Sequence, residues 1–299
     1  MSEFQGVYTA PPTPMTTDGE VNEAVLREIV EFHIGAGVDG FWMAGGGGES
    51  VLLDDEENHR IAAAVADQAA GRAKVIMHVG AASTRRAAKN AEAAARTGVD
   101  AVCCVPPFFY RQPDAAVVEH YRVVAAATNL PFFSYNLPQM TQCEITAPLM
   151  AKIQDAVPQL KGVKHSGPNF ADVRAFSSMG LDTFIGLSPL LLPALASGAV
   201  GVVDGWPGVA PEVWVEIWRA WNAGDIAAAQ AAQDRGIAVC KLREIGHFHG
   251  VLKAATGYRI GVDCGNPRPP GLPLTPEQDR AVQQHLANLD LLPAARAAS

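Results

Sequence analysis

Short, continuous apolar runs alternate along the chain with longer segments whose apolar positions recur every three to four residues. The runs are "GVYTA" (6–10), "VDGFWMA" (38–44), "KVIMHVG" (74–80), "DAVCCVP" (100–106), "LPFFSYN" (130–136), "LKGVKHS" (160–166), "LDTFIG" (181–186) and "AVGVVDG" (199–205). Each reads as a strand, and the segment after each reads as a helix. The first helix, 22–37, closes on a glycine. The second, 54–71, carries acids in its first turn and a terminal glycine, and the third is opened by Ser83 as a cap. Eight strand-then-helix units fill about 220 residues. Their continuous apolar strands suit a sheet buried on both faces. The pattern predicts an α/β fold, a closed (β/α)8 TIM barrel over residues 1–223. A doubly wound open sheet has fewer strands and a clear reversal of strand order. Residues 224–299 carry no strand pattern and are expected to form additional C-terminal helices packed on the barrel.

Composition narrows the function. The 299 residues are 48 % apolar with mean hydropathy +0.08 and net charge −8. No basic block marks a nucleic-acid surface, and no 18-residue apolar run marks a membrane span. "MSEFQGVYTA" lacks the basic-then-apolar order of a signal peptide. The five cysteines show no CxxC pair, so reduced thiols in a cytoplasmic protein are expected. No His, Asp or Glu set has metal-ligand spacing, so a metal-free protein is expected.

In a barrel of this kind chemistry sits where strands end and loops begin. Of seven lysines, only Lys164 has that placement, at the end of strand six. Desolvation among apolar walls disfavours a charged amine, and a neutral amine can attack a carbonyl to form a Schiff base. Tyr135 ends strand five, next to Lys164, where a phenol can shuttle protons. Position alone leaves Lys164 open to a structural ion pair and Tyr135 open to a core role. The glycine run "AGGGGES" (44–50) ends strand two. It lacks the Gly-Lys-Ser/Thr of a phosphate loop and does not fit GxGxxG.

The chain resembles the pyruvate-dependent class I aldolases that include dihydrodipicolinate synthase and N-acetylneuraminate lyase. The resemblance rests on "GVYTAPPTPMTTDGEVN", "GVDGFWMAGGGGES", "VPPFFYRQPD", "YNLP", "GVKHSGPN" and "RPPGLPLTPEQ", in that order over nearly the whole chain. It implies that Lys164 is the Schiff-base lysine and Tyr135 the proton shuttle. It further implies a covalent Schiff base in place of any cofactor, keto-acid and aldehyde substrates, and a homodimer or a homotetramer of two tight dimers. In relatives the loop after strand two grips the substrate carboxylate with two hydroxyl residues. Here those positions are Gly46 and Gly47, whose amides can still form an anion nest.

Other departures bear on substrate. The family's relay tyrosine, reaching across a dimer, is Phe109 here, with Tyr110 beside it. An arginine of the synthases is Met140. The acidic pair of the sialic acid lyases is Ser188 and Pro189, following Gly186 at the end of strand seven. Asp204 and Trp206, at the end of strand eight, are expected to line the pocket with Gly186. An aromatic there favours a less polar aldehyde, although Trp206 also fits a packing role. These departures disfavour both a 4-hydroxy-tetrahydrodipicolinate synthase and a sialic acid lyase. The expected activity is carbon–carbon bond cleavage or formation through a lysine-bound enamine. The alternatives are a dehydratase or hydratase-aldolase using the same imine, the synthase itself, and a keto-acid binding protein without catalysis.

Overall fold

The computed structural model describes residues 2–293. Eight parallel strands close into a barrel in sequence order: β1 (Gly6–Thr9), β2 (Gly40–Met43), β3 (Lys74–His78), β4 (Ala101–Cys104), β5 (Phe132–Asn136), β6 (Leu160–His165), β7 (Asp182–Ile185) and β8 (Gly201–Asp204), with β8 paired back to β1. Around it run α1 (Glu23–Ala36), α2 (Asp55–Ala69), α3 (Thr84–Ala94), α4 (Asp114–Ala125), α5 (Pro138–Thr141), α6 (Ala147–Ala156), α7 (Ala171–Ser178), α8 (Leu191–Ala196) and α9 (Pro211–Asn222). Helices α10 (Ile226–Cys240), α11 (Phe248–Ile260) and α12 (Pro276–Asn288) follow.

The helix boundaries have local causes. Asn22 Oδ1 accepts from the Val25 amide, and Gly37 ends α1 with φ 89°. Asp54 and Glu57 form a reciprocal capping box on α2. Ser83 caps α3. Two segments differ from the pattern. "PQMT" forms the extra helix α5, because Pro138 is already shaped for a first helical turn, and left-handed Gln142 (φ 55°) stops it. The segment after β7 splits into a single turn, Ser188–Leu190, and the short α8.

The core has two parts. One lies between sheet and helices. The other fills the barrel with Tyr8, Trp42, Ile76, Ala101, Cys103, Phe133, Phe184 and Val203, with Phe4 packed edge-on against Phe133 at 5.2 Å. Such large rings need bare backbone opposite them. A Cβ on Gly40 would lie 2.2 Å from the Tyr8 ring, and one on Gly162 2.7 Å from the Phe133 ring. Strand alternation thus fills the barrel centre and leaves chemistry to the C-terminal rim. Among the described residues no helix is long and apolar enough to cross a membrane.

Candidate active site

Tyr135 and Lys164 are Cα partners in the β5–β6 ladder, so both point into the barrel mouth. Lys164 is 4 % exposed, and its Nζ lies 4.4 Å from the Tyr135 ring centre and 5.6 Å from that of Trp42. Lys74, Lys152, Lys161 and Lys253 each pair with a carboxylate; Lys164 pairs with none among the described residues. A structural ion pair therefore does not account for Lys164. The next residues along, Asn136 and His165, face outward. They approach each other at 3.2 Å, and His165 Nε2 donates to the Asn169 carbonyl. This outer lock holds the two strand ends in register.

The loop after β2 has an unexpected cause for its glycines. Its left-handed residues are Ala44 (φ 48°) and Glu49 (φ 61°), which flank the run. The glycines answer close approach instead. A Cβ on Gly47 would lie 2.9 Å from the Ala10 carbonyl, and one on Gly48 3.0 Å from the Ala44 Cα. Gly46 is roomier: its Cβ would lie 3.7 Å from the Tyr135 hydroxyl, so a hydroxyl side chain there would reach that phenol. Among the described residues neither the Gly46 nor the Gly47 amide donates a hydrogen bond. Two adjacent bare N–H groups can receive an anion.

The loop is held from outside the barrel. Lys253, on α11, pairs with Glu49 at 3.0 Å, both side chains buried, and also donates to the Asn266 carbonyl. Glu49 accepts from the Arg268 amide, Thr13 donates to the Gly48 carbonyl, and His249 Nε2 lies 2.8 Å from the Gly46 carbonyl. The chain pattern sets Lys253 and His249 aside as C-terminal helix residues; the fold brings both onto this loop.

Two further polar groups face the barrel mouth. His78 ends β3, 4 % exposed, edge-on to Tyr135 at a ring separation of 6.3 Å, and neither ring nitrogen has a hydrogen-bond partner. Burial first, and the Lys164 charge second, lower its pKa to about 4, so the ring is neutral. Ser166, two residues past Lys164 on the same strand face, also has an unpartnered buried hydroxyl. Period two in "KVIMHVG" and "VKHS" carries the signal for both.

The remaining candidates disperse. Gly186 lies against Ser166, whose Oγ would be 1.9 Å from an added Cβ. The Asp204 carboxylate accepts from the Ser188 and Gly205 amides, so it ties β8 to the loop after β7. Trp206 is 5 % exposed and stacks edge-on against Phe248, which is the packing role. Met140 is 73 % exposed on α5; Phe109 (φ 80°) and Tyr110 pack on each other and are 75 % and 72 % exposed. A cleft of about 410 Å³ lies elsewhere, between α11 and the loop after β1, lined by Thr16, Lys253, Tyr258 and Asp279 but by neither Lys164 nor Tyr135. Among the described residues no three His, Cys, Asp or Glu side chains form a metal-binding group, and the five cysteines are unpaired.

His33, His78 and His120 are all buried with pKa lowered to about 4, chiefly by desolvation. Between pH 6.5 and 4 the unfolded chain binds protons that the native rings refuse. Stability is therefore full above pH 6.5 and falls as the pH drops toward 4, by about 2 kcal/mol per ring at pH 5. Urea unfolding midpoints at pH 7.5 and pH 5 check this; equal midpoints would contradict it.

Fold and site together define a (β/α)8-barrel enzyme with a buried lysine at the catalytic end of its strands. A model of the dihydrodipicolinate synthetase family matches residues 3–289. The chain belongs to that family and is a lyase of the Schiff-base-forming, pyruvate-dependent aldolase type. It is 32 % identical over 295 residues to a 4-hydroxy-tetrahydrodipicolinate synthase of Methanopyrus kandleri, covering 97 % of this chain and 98 % of that one. Among solved structures it resembles YagE, a prophage protein of E. coli K12 crystallised with pyruvate (TM-score 0.91, 25 % identity, 96 % and 99 % of the two chains). It likewise resembles the N-acetylneuraminate lyase of Proteus mirabilis (TM-score 0.89, 26 % identity, 97 % and 100 %).

Proposed function

We propose that the Lys164 amine condenses with the 2-keto group of pyruvate or a 2-keto-3-deoxy acid, losing water to give a protonated imine. The imine draws electrons from the C3–C4 bond, which breaks to an enamine and an aldehyde or forms in reverse. Tyr135 takes the proton from the C4 hydroxyl in cleavage and returns it in synthesis. The substrate carboxylate rests on the Gly46 and Gly47 amides. The imine itself is the electron sink, so the chemistry asks for no separate cofactor.

One observation carries this reading: an inward, buried lysine without a carboxylate, in ladder register with an inward tyrosine. Met140 and Leu187 are exposed in loops that follow strand ends, which supports a weakly polar aldehyde partner. Gly46 brings no hydroxyl to Tyr135, which favours the aldolase reading over the synthase activity named for the M. kandleri relative. The exposed Phe109–Tyr110 pair supports assembly with a second copy of the chain, in a cytoplasmic homodimer or homotetramer.

Borohydride reduction in the presence of pyruvate, read by mass spectrometry, tests the mechanism. A pyruvyl adduct is expected on Lys164. In Tyr135→Phe the adduct is expected to persist while carbon–carbon cleavage falls roughly 10²-fold, the scale of acid–base catalysis. An adduct on another lysine, or unchanged turnover in Tyr135→Phe, would refute the respective role.

A further inference from the structure

A carboxylate grip built from glycine amides has a physical weakness. Glycine populates both signs of φ with little steric cost, so no side chain at 46 or 47 resists rotation of the peptide between them. In a planar trans peptide the carbonyl of Gly46 and the N–H of Gly47 point in opposite directions. Whatever holds that carbonyl therefore also aims that N–H.

The group that holds it is His249. Its Nε2 lies 2.8 Å from the Gly46 oxygen, across 203 positions of sequence. The only other donor to that oxygen among the described residues is the Glu49 amide, at a longer 3.4 Å. His249 stands four residues before Lys253 on α11, so both project from one helix face. Lys253 holds Glu49 at the far end of the glycine run. Leu252, between them, lies against Gly47, 3.6 Å from where its Cβ would be. The C-terminal helix thus grips the run at both ends. It does so where the side chains that would stiffen the loop are missing.

We infer that His249 is a positioning residue. It donates to the Gly46 carbonyl, fixes the Gly46–Gly47 peptide with its N–H turned away from α11, and so sets the loop's affinity for a substrate carboxylate. Drawing on the carbonyl also polarises the amide and strengthens its N–H as a donor. Either the neutral ring protonated at Nε2 or the charged ring can serve. A side-chain amide at 249 can replace it in part.

This rests on the proposed imine at Lys164 and carboxylate contact at Gly46–Gly47, so the test separates the two. Half-saturation of borohydride trapping on Lys164 is measured with pyruvate and with its uncharged methyl ester. The wild type, His249→Ala, His249→Gln and, as a neighbouring control, His247→Ala are compared. The wild type is expected to favour pyruvate over the ester. His249→Ala is expected to weaken pyruvate about tenfold, the scale of one hydrogen bond, and leave the ester within twofold. His249→Gln should recover part of the loss, and His247→Ala should match the wild type. If His249→Ala keeps the wild-type preference, or weakens both compounds equally, the positioning role is wrong and the carboxylate contact stands. If the wild type itself shows no preference, the carboxylate contact fails, and the role of His249 with it.

Discussion

Lys164→Ala is expected to form no borohydride-trapped adduct with pyruvate and to lose at least about 10³-fold in turnover, the scale on which covalent nucleophiles are lost. No other lysine can take its place. Lys253 is buried but tied to Glu49, and Lys161, on the same strand, pairs with Asp182 at 3.6 Å. The same substitution should not lower stability. A buried amine with no carboxylate partner contributes a desolvation cost to the native state, which alanine removes. Thermal unfolding should therefore occur at or above the wild-type temperature. A fall of several degrees would mean that the Trp42 and Tyr135 rings hold the lysine by more than packing. Mass spectrometry checks the first half and calorimetry the second.

The second large effect runs the other way. Lys253→Met should cost about 3–5 kcal/mol of stability, because it leaves the buried Glu49 carboxylate without its cation. Burial pushes the Lys253 amine down and Glu49 opposes the shift, so the pair persists only as a pair. Combining Lys253→Met with Glu49→Gln should restore much of the loss, since the uncompensated charge is then gone. Urea midpoints of the single and double variants measure this coupling directly. The single variant should also bind pyruvate more weakly, because Glu49 is the left-handed residue that closes the glycine loop. If the single and double variants are equally unstable, the pair acts through packing rather than charge.

Much of the site was legible along the chain because strands write their faces in period two. Lys164 and Tyr135 occupy inward positions at strand ends. His165 occupies the outward one, where it meets Asn136 and the Phe176 ring at 5.6 Å. The same alternation marks His78 and Ser166, which attention to lysines and tyrosines alone passes over. Asp204 and Trp206 show the limit of the rule. Both stand at a strand end, yet the carboxylate bonds to two amides and the indole packs on Phe248. A strand end is necessary for a place in the site but does not choose between the pocket and the wall beside it.

The sequence by itself determined the eight strand–helix units, the order that closes them into a barrel, and the pair of reactive side chains at the rim. Each of these depends on local periodicity and on which residue follows which. Only the tertiary structure decided what holds the glycine loop. His249, Lys253 and Arg268 meet residues 46–49 across some two hundred positions, and no local pattern records a contact of that span. It decided as well why the glycines are there. Their backbone angles are ordinary, and the reason for bare Cα atoms at 47 and 48 is the nearness of Ala10 and Ala44, which exists only once the loop has folded.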